Sequence, residues 1–346
     1  MKQKIKTVQH TFTLLQSINA LLPLKWHYCF ECILGLFLKP DQRVTLTNIC
    51  GVSSSTASRL FQHSGFDLEQ AWQMLVKWQV AQIRSAARVK KAGRRPPLYL
   101  RVDLTSIEKA GSLLPFIRLF NKVKGIHIVV LHVSFGRISF AVGYRIFDAK
   151  KKLTPIELAL DLLKDWLPRC WGGWDVRLTA DSGFMSQAFL EQTRKIGFNH
   201  VSVGGKNNFV LSDGRHLENC VKGECIELRT MKGLKLWVSW VDLPRLEKGV
   251  EVKKRFFVLS TAKGTARTLI RVHSKRWLIE SFFKSVKYDF GLNETRLRTE
   301  QGIRGWLFMS LLAYAIVSVE RASHGMQVIQ ANTDNRLSAP PRGAEE

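Results

Sequence analysis

The sequence feature that most constrains the fold is a change of hydrophobic period at a proline-containing run. Residues 1–93 carry apolar side chains three to four positions apart, the spacing of amphipathic helices. The run from Arg94 to Pro97 cannot continue a helix, because proline lacks an amide hydrogen and clashes with the preceding turn. From Leu98 apolar and polar residues alternate, which indicates a strand. The chain therefore begins with helices, expected to break at Pro23, Pro40 and Gly65, and continues with a sheet.

Beyond Leu98 the predicted strands and helices alternate, which is typical of an α/β sheet. The first strand is predicted to end at Asp103, and a later strand at Asp181. Thr154 and Pro155 have the residue types of a helix cap and first helical position. The other predicted elements are a hairpin over 126–135 and 138–147 turning at Gly136 and Arg137, helices over 154–166 and 186–195, and strands over 176–181 and 200–203.

The pattern changes again in the second half of the chain. Between residues 207 and 259, short β-like runs are separated by glycines, which predicts a β-rich insertion with strands over 226–229, 234–241 and 255–259. Helical spacing returns from Thr265 to about Arg321, interrupted near Gly291. The end of the chain, 332–346, is rich in proline and is predicted to be a disordered tail.

The charge balance points to a polyanionic partner. Lys and Arg outnumber Asp and Glu by 53 to 28, giving a formal charge of +25, and nucleic acid is the first expectation. An anionic membrane surface is the alternative. The longest apolar stretch, Gly305 to Val319, is shorter than the roughly 20 residues of a spanning helix and is interpreted as a buried helix. The first 30 residues lack a signal-peptide pattern, so a cytoplasmic location and no membrane partner are expected.

The sequence contains only a weak candidate for a zinc-binding motif and no nucleotide-binding motif. Of six cysteines, Cys29 and Cys32 alone have the two-residue gap of a zinc site, and no second pair completes a tetrahedron. Buried free thiols on a helix are the ordinary explanation. No phosphate-binding loop pattern occurs, which argues against an ATP-driven motor.

The segment from Thr45 to His63 has the layout of a helix-turn-helix. It offers a short helix, Gly51 at the turn, Val52 as a buried plug and Ser53 as the cap of a second helix. An ordinary helical hairpin is the alternative, and the basic charge favours DNA contact. The polar and basic side chains predicted to face a major groove are Ser54, Ser55, Ser58, Arg59 and Gln62.

A later helical segment carries an acid among basic groups. From His273, the offsets to Arg276, Glu280 and Lys287 are 3, 7 and 14, which places all four in one sector of a single helix. A solvated helix with ion pairs from Glu280 to Arg276 and to Lys284 is the alternative.

The acidic residues at strand ends give Glu280 a possible chemical role. Asp103, Asp181 and Glu280 together supply the carboxylates that two hard divalent cations require. Arg276 and Lys287 then have the chemistry to clamp phosphates on either side of a cut. The three acids and their basic neighbours therefore suggest a phosphodiester-cleaving site.

These residues resemble the DDE transposases of bacterial insertion sequences, specifically the insertion-sequence-four group. That group has a Tyr, Arg, Glu, Lys signature separated by two, three and six residues, and the chain matches three of the four positions, with His273 in place of tyrosine. The runs VDLTSIEK at Asp103 and LTADSGF at Asp181 are similar to the family's two aspartate strands. The family's later segments are also similar to three runs of this chain, VSVGGKNNF, FVLST and GLNETRLRTEQGIRGWLF. The resemblance therefore covers about Leu98 to Val319.

The resemblance implies a fold, a chemistry and partners. The expected fold is α/β, a ribonuclease-H-like mixed sheet with a β-rich insertion, preceded by an all-α helix-turn-helix domain. The implied activity is cleavage at element ends and strand transfer into target DNA, with Asp103, Asp181 and Glu280 binding two Mg²⁺ ions, for which Mn²⁺ substitutes. Double-stranded DNA and a homodimer in a synaptic complex are the implied partners, in a bacterial, nucleoid-associated setting. The implied phosphate-binding residues are Arg276, Lys287, His273 and Lys284.

The resemblance also divides the chain into domains and leaves some roles open. Trp237 or Trp240 is expected either to stack on a flipped base or simply to pack. A DNA-binding repressor without catalysis, and a ribonuclease-H-like nuclease without strand transfer, are the alternative functions. The predicted divisions are a helical domain over 1–93 with its helix-turn-helix at 45–63, catalytic-domain segments over 98–206 and 260–322, the insertion over 207–259 and the tail over 332–346.

Overall fold

A computed structural model describes residues 2–39, 43–88, 97–109, 114–148, 150–170, 174–247 and 250–323. The predicted tail over 332–346, Pro40 and most of the run from Arg94 to Pro97 lie outside these ranges. The described residues form two compact units. Unit one contains those of Met1–Pro96, Leu104–Leu158 and Ile279–Val328, and unit two those of Pro97–Asp103 and Ala159–Leu278.

The helices in chain order are α1 (Lys2–Asn19), α2 (His27–Leu38), α3 (Ser54–His63), α4 (Leu68–Arg88), α5 (Pro155–Cys170), α6 (Gln187–Ile196), α7 (Ala266–Ser274), α8 (Trp277–Tyr288) and α9 (Glu300–Ser323). The strands are β1 (Leu98–Glu108), β2 (Ile117–Phe120), β3 (Val123–Phe135), β4 (Ile138–Ile146), β5 (Val176–Ala180), β6 (His200–Gly205), β7 (Cys225–Glu227), β8 (Lys235–Glu247) and β9 (Val250–Ser260). The chain is thus mixed α/β, with helices before the first strand as predicted.

Helix α9 is the centre of unit one. It packs against α1, α2, α3, α4 and β4, and its Trp306 lies against the ring of Phe37 at a centroid distance of 4.8 Å. By length and composition α9 could cross a membrane, yet 89% of its most apolar window is buried within the protein. Burial of that extent is typical of a core helix and agrees with the interpretation of Gly305 to Val319.

The sheet of unit one is built on the long strand β3. The predicted hairpin is confirmed, since β3 and β4 pair antiparallel and turn at Gly136, whose φ of 59° suits glycine. Strand β2, which the sequence pattern did not reveal, pairs with the beginning of β3. On the other side, β1 pairs with β3, and the carbonyl of Lys124 accepts a hydrogen bond from the amide of Lys109.

Unit two contains a mixed sheet in the order β1, β5, β6, β9, β8, β7. Strands β1, β5 and β6 are parallel, whereas β9 pairs antiparallel with β6. The strands of the predicted β-rich insertion therefore extend this sheet. The cap predicted at Thr154 is also observed, because Thr154 and Glu157 bond reciprocally before α5. At α6 the Ser186 side chain accepts from the amide of Phe189.

Three sequence predictions about the elements are wrong. Strand β1 runs past Asp103 to Glu108, because its second half pairs with β3. Strands β8 and β9 form a longer hairpin than predicted, paired from Trp237 and Ser260 to Glu247 and Val250. The single helix expected across residues 271–290 is two helices, α7 and α8.

Candidate active site

The two aspartates lie side by side in unit two. The parallel pairing of β1 and β5 brings Val102 opposite Ala180, and each is followed directly by an aspartate, Asp103 or Asp181. Neighbouring strands are about 4.8 Å apart, and residues in register on parallel strands share a face. Both side chains are partly buried. The juxtaposition predicted for these two carboxylates is therefore present, although Asp103 lies within its strand.

One row of side chains precedes the aspartates on the same face. Arg101 pairs with Thr179, and Thr179 with Ser202 on β6, so these three residues form what we call the anchor row. All three are buried, and Arg101 has no exposed surface. Because side chains alternate along a strand, the next row on this face contains Asp103 and Asp181.

The anchor row and Asp103 hold the break between α7 and α8. The Arg101 Nε donates to the carbonyl of Lys275, and the Arg276 Nη1 lies 3.4 Å from the Asp103 Oδ2. Two side chains of β1 thus bind two consecutive residues at the break. The Lys275 carbonyl accepts from the Leu278 amide as well as from Arg101, and this bond to the third residue along belongs to a tightened turn between the two helices. Arg101 was not among the predicted site residues. The sequence feature that could have identified it is its position two residues before Asp103, on the same face of the strand.

His273, which replaces the signature tyrosine, is held by the same face of the sheet. Its Nδ1 and the Ser202 Oγ are 3.2 Å apart and share a hydrogen bond. Burial, and next the charge of Arg276, lower the pKa of His273 to about 4, against the opposing effect of Asp181. The imidazole is consequently neutral at pH 7, so its predicted phosphate contact would rest on a hydrogen bond rather than a charge.

Glu280, Lys284 and Lys287 lie on α8, at positions that share one face of that helix. The placement of His273 and Arg276 on the same helix is wrong, because the chain turns at Lys275 and Arg276. Glu280 is exposed in the first turn of α8, where the helix dipole favours an acid. It belongs to unit one, whereas the two aspartates belong to unit two.

The two basic residues of α8 differ in their surroundings. Lys284 is exposed, whereas Lys287 is partly buried. Burial lowers the pKa of Lys287, and the nearby Glu108 opposes that effect. Lys287 is therefore the less solvated of the two cations, and a less solvated ammonium interacts more strongly with a phosphate.

The aspartate pair suits a divalent cation by its donor chemistry. Two partly buried carboxylates on adjacent strands offer the oxygen ligands that Mg²⁺ prefers. Among the described residues, no group of three or more His, Cys, Asp or Glu side chains is arranged to hold a metal ion. The structure thus supplies two of the three predicted ligands together, and the Arg276 guanidinium is at one of them.

The two candidate stacking residues lie on opposite faces of β8, because their positions differ by three. Both are partly buried. The Lys263 ammonium lies 5.3 Å from the ring centroid of Trp237, and the Arg255 guanidinium 5.0 Å from that of Trp240. Each indole thus makes a cation–π contact with a neighbouring basic side chain. Base stacking stays a prediction.

Several local features predicted for the segment from Thr45 to His63 are observed, and the helix-turn-helix itself stays a prediction. Ser53 caps α3 through the amide of Thr56, Ala57 and Leu60 are buried, and Gly51 has a φ of 87°. Val52 is only partly buried. Ser54, Ser55 and Arg59 are exposed, and Ser58 and Gln62 are partly buried.

The short first helix predicted for that motif is a single 3-10 turn over Leu46–Asn48. The Asn48 side chain donates to the carbonyl of Arg43, and the hydroxyls of Thr45 and Thr47 bond each other. Such local bonds compete with an α-helix, which explains the short turn. DNA contact by α3 stays a prediction.

The two cysteines that were interpreted as free thiols, Cys29 and Cys32, lie on α2. Cys29 is buried, and burial raises the pKa of its thiol to about 11, with a smaller contribution from Cys32. Cys29 therefore fits the interpretation of a buried free thiol.

Comparisons with known proteins agree with this arrangement. A family model described as "Transposase DDE domain" matches residues 103–316, beginning at Asp103. That range is more than half of the 346 residues, so the chain belongs to the family of transposase DDE domains.

The fold is also similar to that of a piggyBac transposase, determined by cryo-EM as a synaptic complex with hairpin DNA. The TM-score is 0.51 at 11% sequence identity, and the match covers 88% of this chain and 67% of that one. At this identity the likeness concerns the fold alone. No curated protein sequence matches the chain.

Loss of the Arg101 guanidinium should slow catalysis. Arg101→Met keeps the side-chain length but leaves the carbonyl of Lys275 without this donor, which costs about 1–3 kcal/mol of stability. A displaced break moves Arg276, and misplacement by about 1 Å costs about 100-fold in rate. End cleavage measured well below the melting temperature checks this, with Arg177→Met on β5 as the control. An unchanged cleavage rate in folded Arg101→Met would contradict the positioning role.

The histidines predict how stability depends on pH. Burial lowers the pKa of His127 in unit one as well as that of His273, below the unfolded value of about 6.5. As the pH falls below 6.5, the unfolded chain binds protons that the folded chain does not, so stability falls. For His273 this loss extends to pH 4. The melting temperature should therefore drop between pH 7 and pH 5, and His273→Gln should drop less. An equal drop in melting temperature in the wild type and in His273→Gln would contradict the lowered pKa of His273.

Proposed function

We propose that this protein is a transposase of the insertion-sequence-four group that cleaves element ends and joins them to target DNA. The observation that carries the proposal is the pairing of Val102 with Ala180, which puts Asp103 and Asp181 next to each other. The family match begins at the first of these residues. Adjacent carboxylates of this kind are suited to metal-assisted phosphodiester chemistry.

Asp103, Asp181 and Glu280 would hold two Mg²⁺ ions, with Mn²⁺ as a substitute. The bound ions would polarise the scissile phosphate and lower the pKa of a bound water. Arg276 contacts one oxygen of Asp103, and its guanidinium would also contact a phosphate oxygen. Lys284 and Lys287 would contact phosphates from α8, and neutral His273 would hold the end of α7 and offer a hydrogen bond.

The fold and the DNA-binding domain are part of the proposal. Strands β1, β5 and β6 are parallel, and Asp103 and Asp181 directly follow the last paired residues of β1 and β5. This arrangement supports a ribonuclease-H-like core. The capped helix α3, with exposed Ser54, Ser55 and Arg59, supports a DNA-binding domain over 1–93. The net charge of +25 supports duplex DNA as the partner.

A homodimer is proposed because two element ends must be held together for joining. The similar piggyBac transposase was captured as a synaptic complex with hairpin DNA. A location in the cytoplasm, at the nucleoid, belongs to the same proposal, since the substrate is DNA.

The test uses the purified chain and duplexes taken from inverted repeats in the DNA flanking its coding sequence. With Mg²⁺ and a supercoiled target plasmid, we expect cleaved ends and plasmid molecules joined to them, and neither product with EDTA. Binding without cleavage would favour a repressor, and cleavage without joining a nuclease. Either result would overturn the proposed function.

A further inference from the structure

Within unit one, an open pocket of about 410 Å³ lies beside the predicted recognition helix α3. We propose that this pocket binds a backbone phosphate of duplex DNA; the proposal rests on the DNA-binding function above. Ser58 of α3 and residues of the loop after α8 both line the pocket. The polar residues that line it include Arg43, Thr45, Asn48, Ser58, Glu294 and Arg296.

The walls of the pocket are fixed by packing. Val44, which is buried, lies against Gly291, and a side chain at that glycine would collide with it. Gly291 also has a φ of 65°, which suits glycine, and its carbonyl accepts a hydrogen bond of 2.7 Å from the Trp306 indole. The segment that carries Arg43 and Thr45 is thereby held against the loop that carries Glu294 and Arg296. A preformed site of this kind loses little entropy on binding.

The charges of the pocket leave an excess of positive charge. Glu294 forms an ion pair of 2.8 Å with Arg43. The Lys109 ammonium donates to the carbonyl of Asn293 and interacts electrostatically with both Glu294 and Arg296. The pocket lining therefore contains two arginines and one carboxylate, and Lys109 is close to that carboxylate. A phosphodiester, which carries a single negative charge, would reduce this excess.

The hydrogen-bonding groups also fit a phosphate. The Ser58 hydroxyl accepts a 2.6 Å hydrogen bond from Gln62, and a hydroxyl that accepts one bond still carries a hydrogen to donate. Arg43 has several donors, of which one contacts Glu294. A phosphate in this position would contact α3 and the loop after α8 together. Such a contact fixes the register of the duplex without reading its sequence.

The experiment measures DNA affinity by fluorescence anisotropy as the KCl concentration is raised. Since a backbone contact does not depend on sequence, the probe is a fluorescein-labelled duplex of arbitrary sequence. Arg296→Gln should weaken binding and reduce the slope of log K against log salt by about 1. Glu294→Gln should tighten binding, because it removes the carboxylate that competes with phosphate for Arg43. The matched controls are Arg298→Gln and Glu300→Gln, exposed neighbours that do not line the pocket.

The outcomes separate this proposal from its alternatives. If Glu294 and Arg43 form only a structural ion pair, Glu294→Gln lowers the melting temperature without tightening DNA binding, which overturns the proposal. Equal effects at the pocket residues and at their controls show a diffuse positive field and overturn it as well. In both cases wild-type DNA binding persists and the proposed function is untouched. A wild-type chain that does not bind duplex DNA overturns both.

Discussion

Asp181→Asn is expected to slow Mg²⁺-dependent cleavage of element ends about 1,000-fold or more. The substitution keeps the shape of the side chain but removes the charge of one of the two adjacent carboxylates that are proposed to bind metal. Metal ions contribute several kcal/mol to such reactions, and each 1.4 kcal/mol is about tenfold in rate. DNA affinity and the melting temperature should stay near the wild-type values, because Asp181 is only partly buried. Single-turnover cleavage of a labelled duplex is the measurement.

Asp175→Asn is the matched control for that experiment. Asp175 precedes the same strand, β5, at its opposite end, where it forms an ion pair with Arg177. Its replacement removes the same charge and should leave cleavage within a few-fold of wild type. Cleavage that persists in Asp181→Asn, or that is lost equally in Asp175→Asn, would contradict the role given to Asp181.

Gly125→Ala is expected to destabilise the protein by about 3 kcal/mol, near the upper end for overpacked sites. A methyl group on Gly125 in β3 would collide with the backbone carbonyl of Ile107 in β1. Backbone cannot move aside as a flexible side chain does, so the pairing of the two strands must shift. Chemical denaturation monitored by circular dichroism measures the change.

Gly35→Ala in helix α2 is the control for the glycine test. No atom lies within 4 Å of the added methyl group, and alanine favours a helix over glycine by about 1 kcal/mol. This variant should therefore be as stable as wild type or more so. A Gly125→Ala protein with an unchanged denaturation midpoint would show that the close approach of β1 and β3 is not required.

Local sequence patterns predicted the elements better than their ends. The period of two from Leu98 identified β1, but periodicity carries no information on strand partners, and pairing with β3 carries β1 past Asp103 to Glu108. The same limit applies to β8 and β9, whose long hairpin depends on cross-strand contacts. Predicted domain boundaries stay a prediction.

The sequence patterns pointed to the candidate residues, but they did not predict the break between α7 and α8. The helical spacing from His273 to Lys287 suggested one continuous helix, because nothing local marks the turn at Lys275 and Arg276. That turn depends on Arg101, which is 174 residues from its partner Lys275. His273 likewise depends on Ser202, 71 residues away. Interactions between such distant positions are invisible to a pattern read along the chain.

The most direct test of the central claim is the cleavage rate of Glu280→Gln, because this acid is assigned to the site by the sequence motif. If Glu280 acts with Asp103 and Asp181, its replacement should reduce cleavage about 1,000-fold, and Glu280→Gln combined with Asp181→Asn should be little worse than either alone, since residues that act as a unit are not additive. Glu300→Gln, at the start of α9, serves as the control. The account would be contradicted if Glu280→Gln binds DNA normally and cleaves at more than about a tenth of the wild-type rate. That rate corresponds to a loss of less than about 1.4 kcal/mol of transition-state stabilisation.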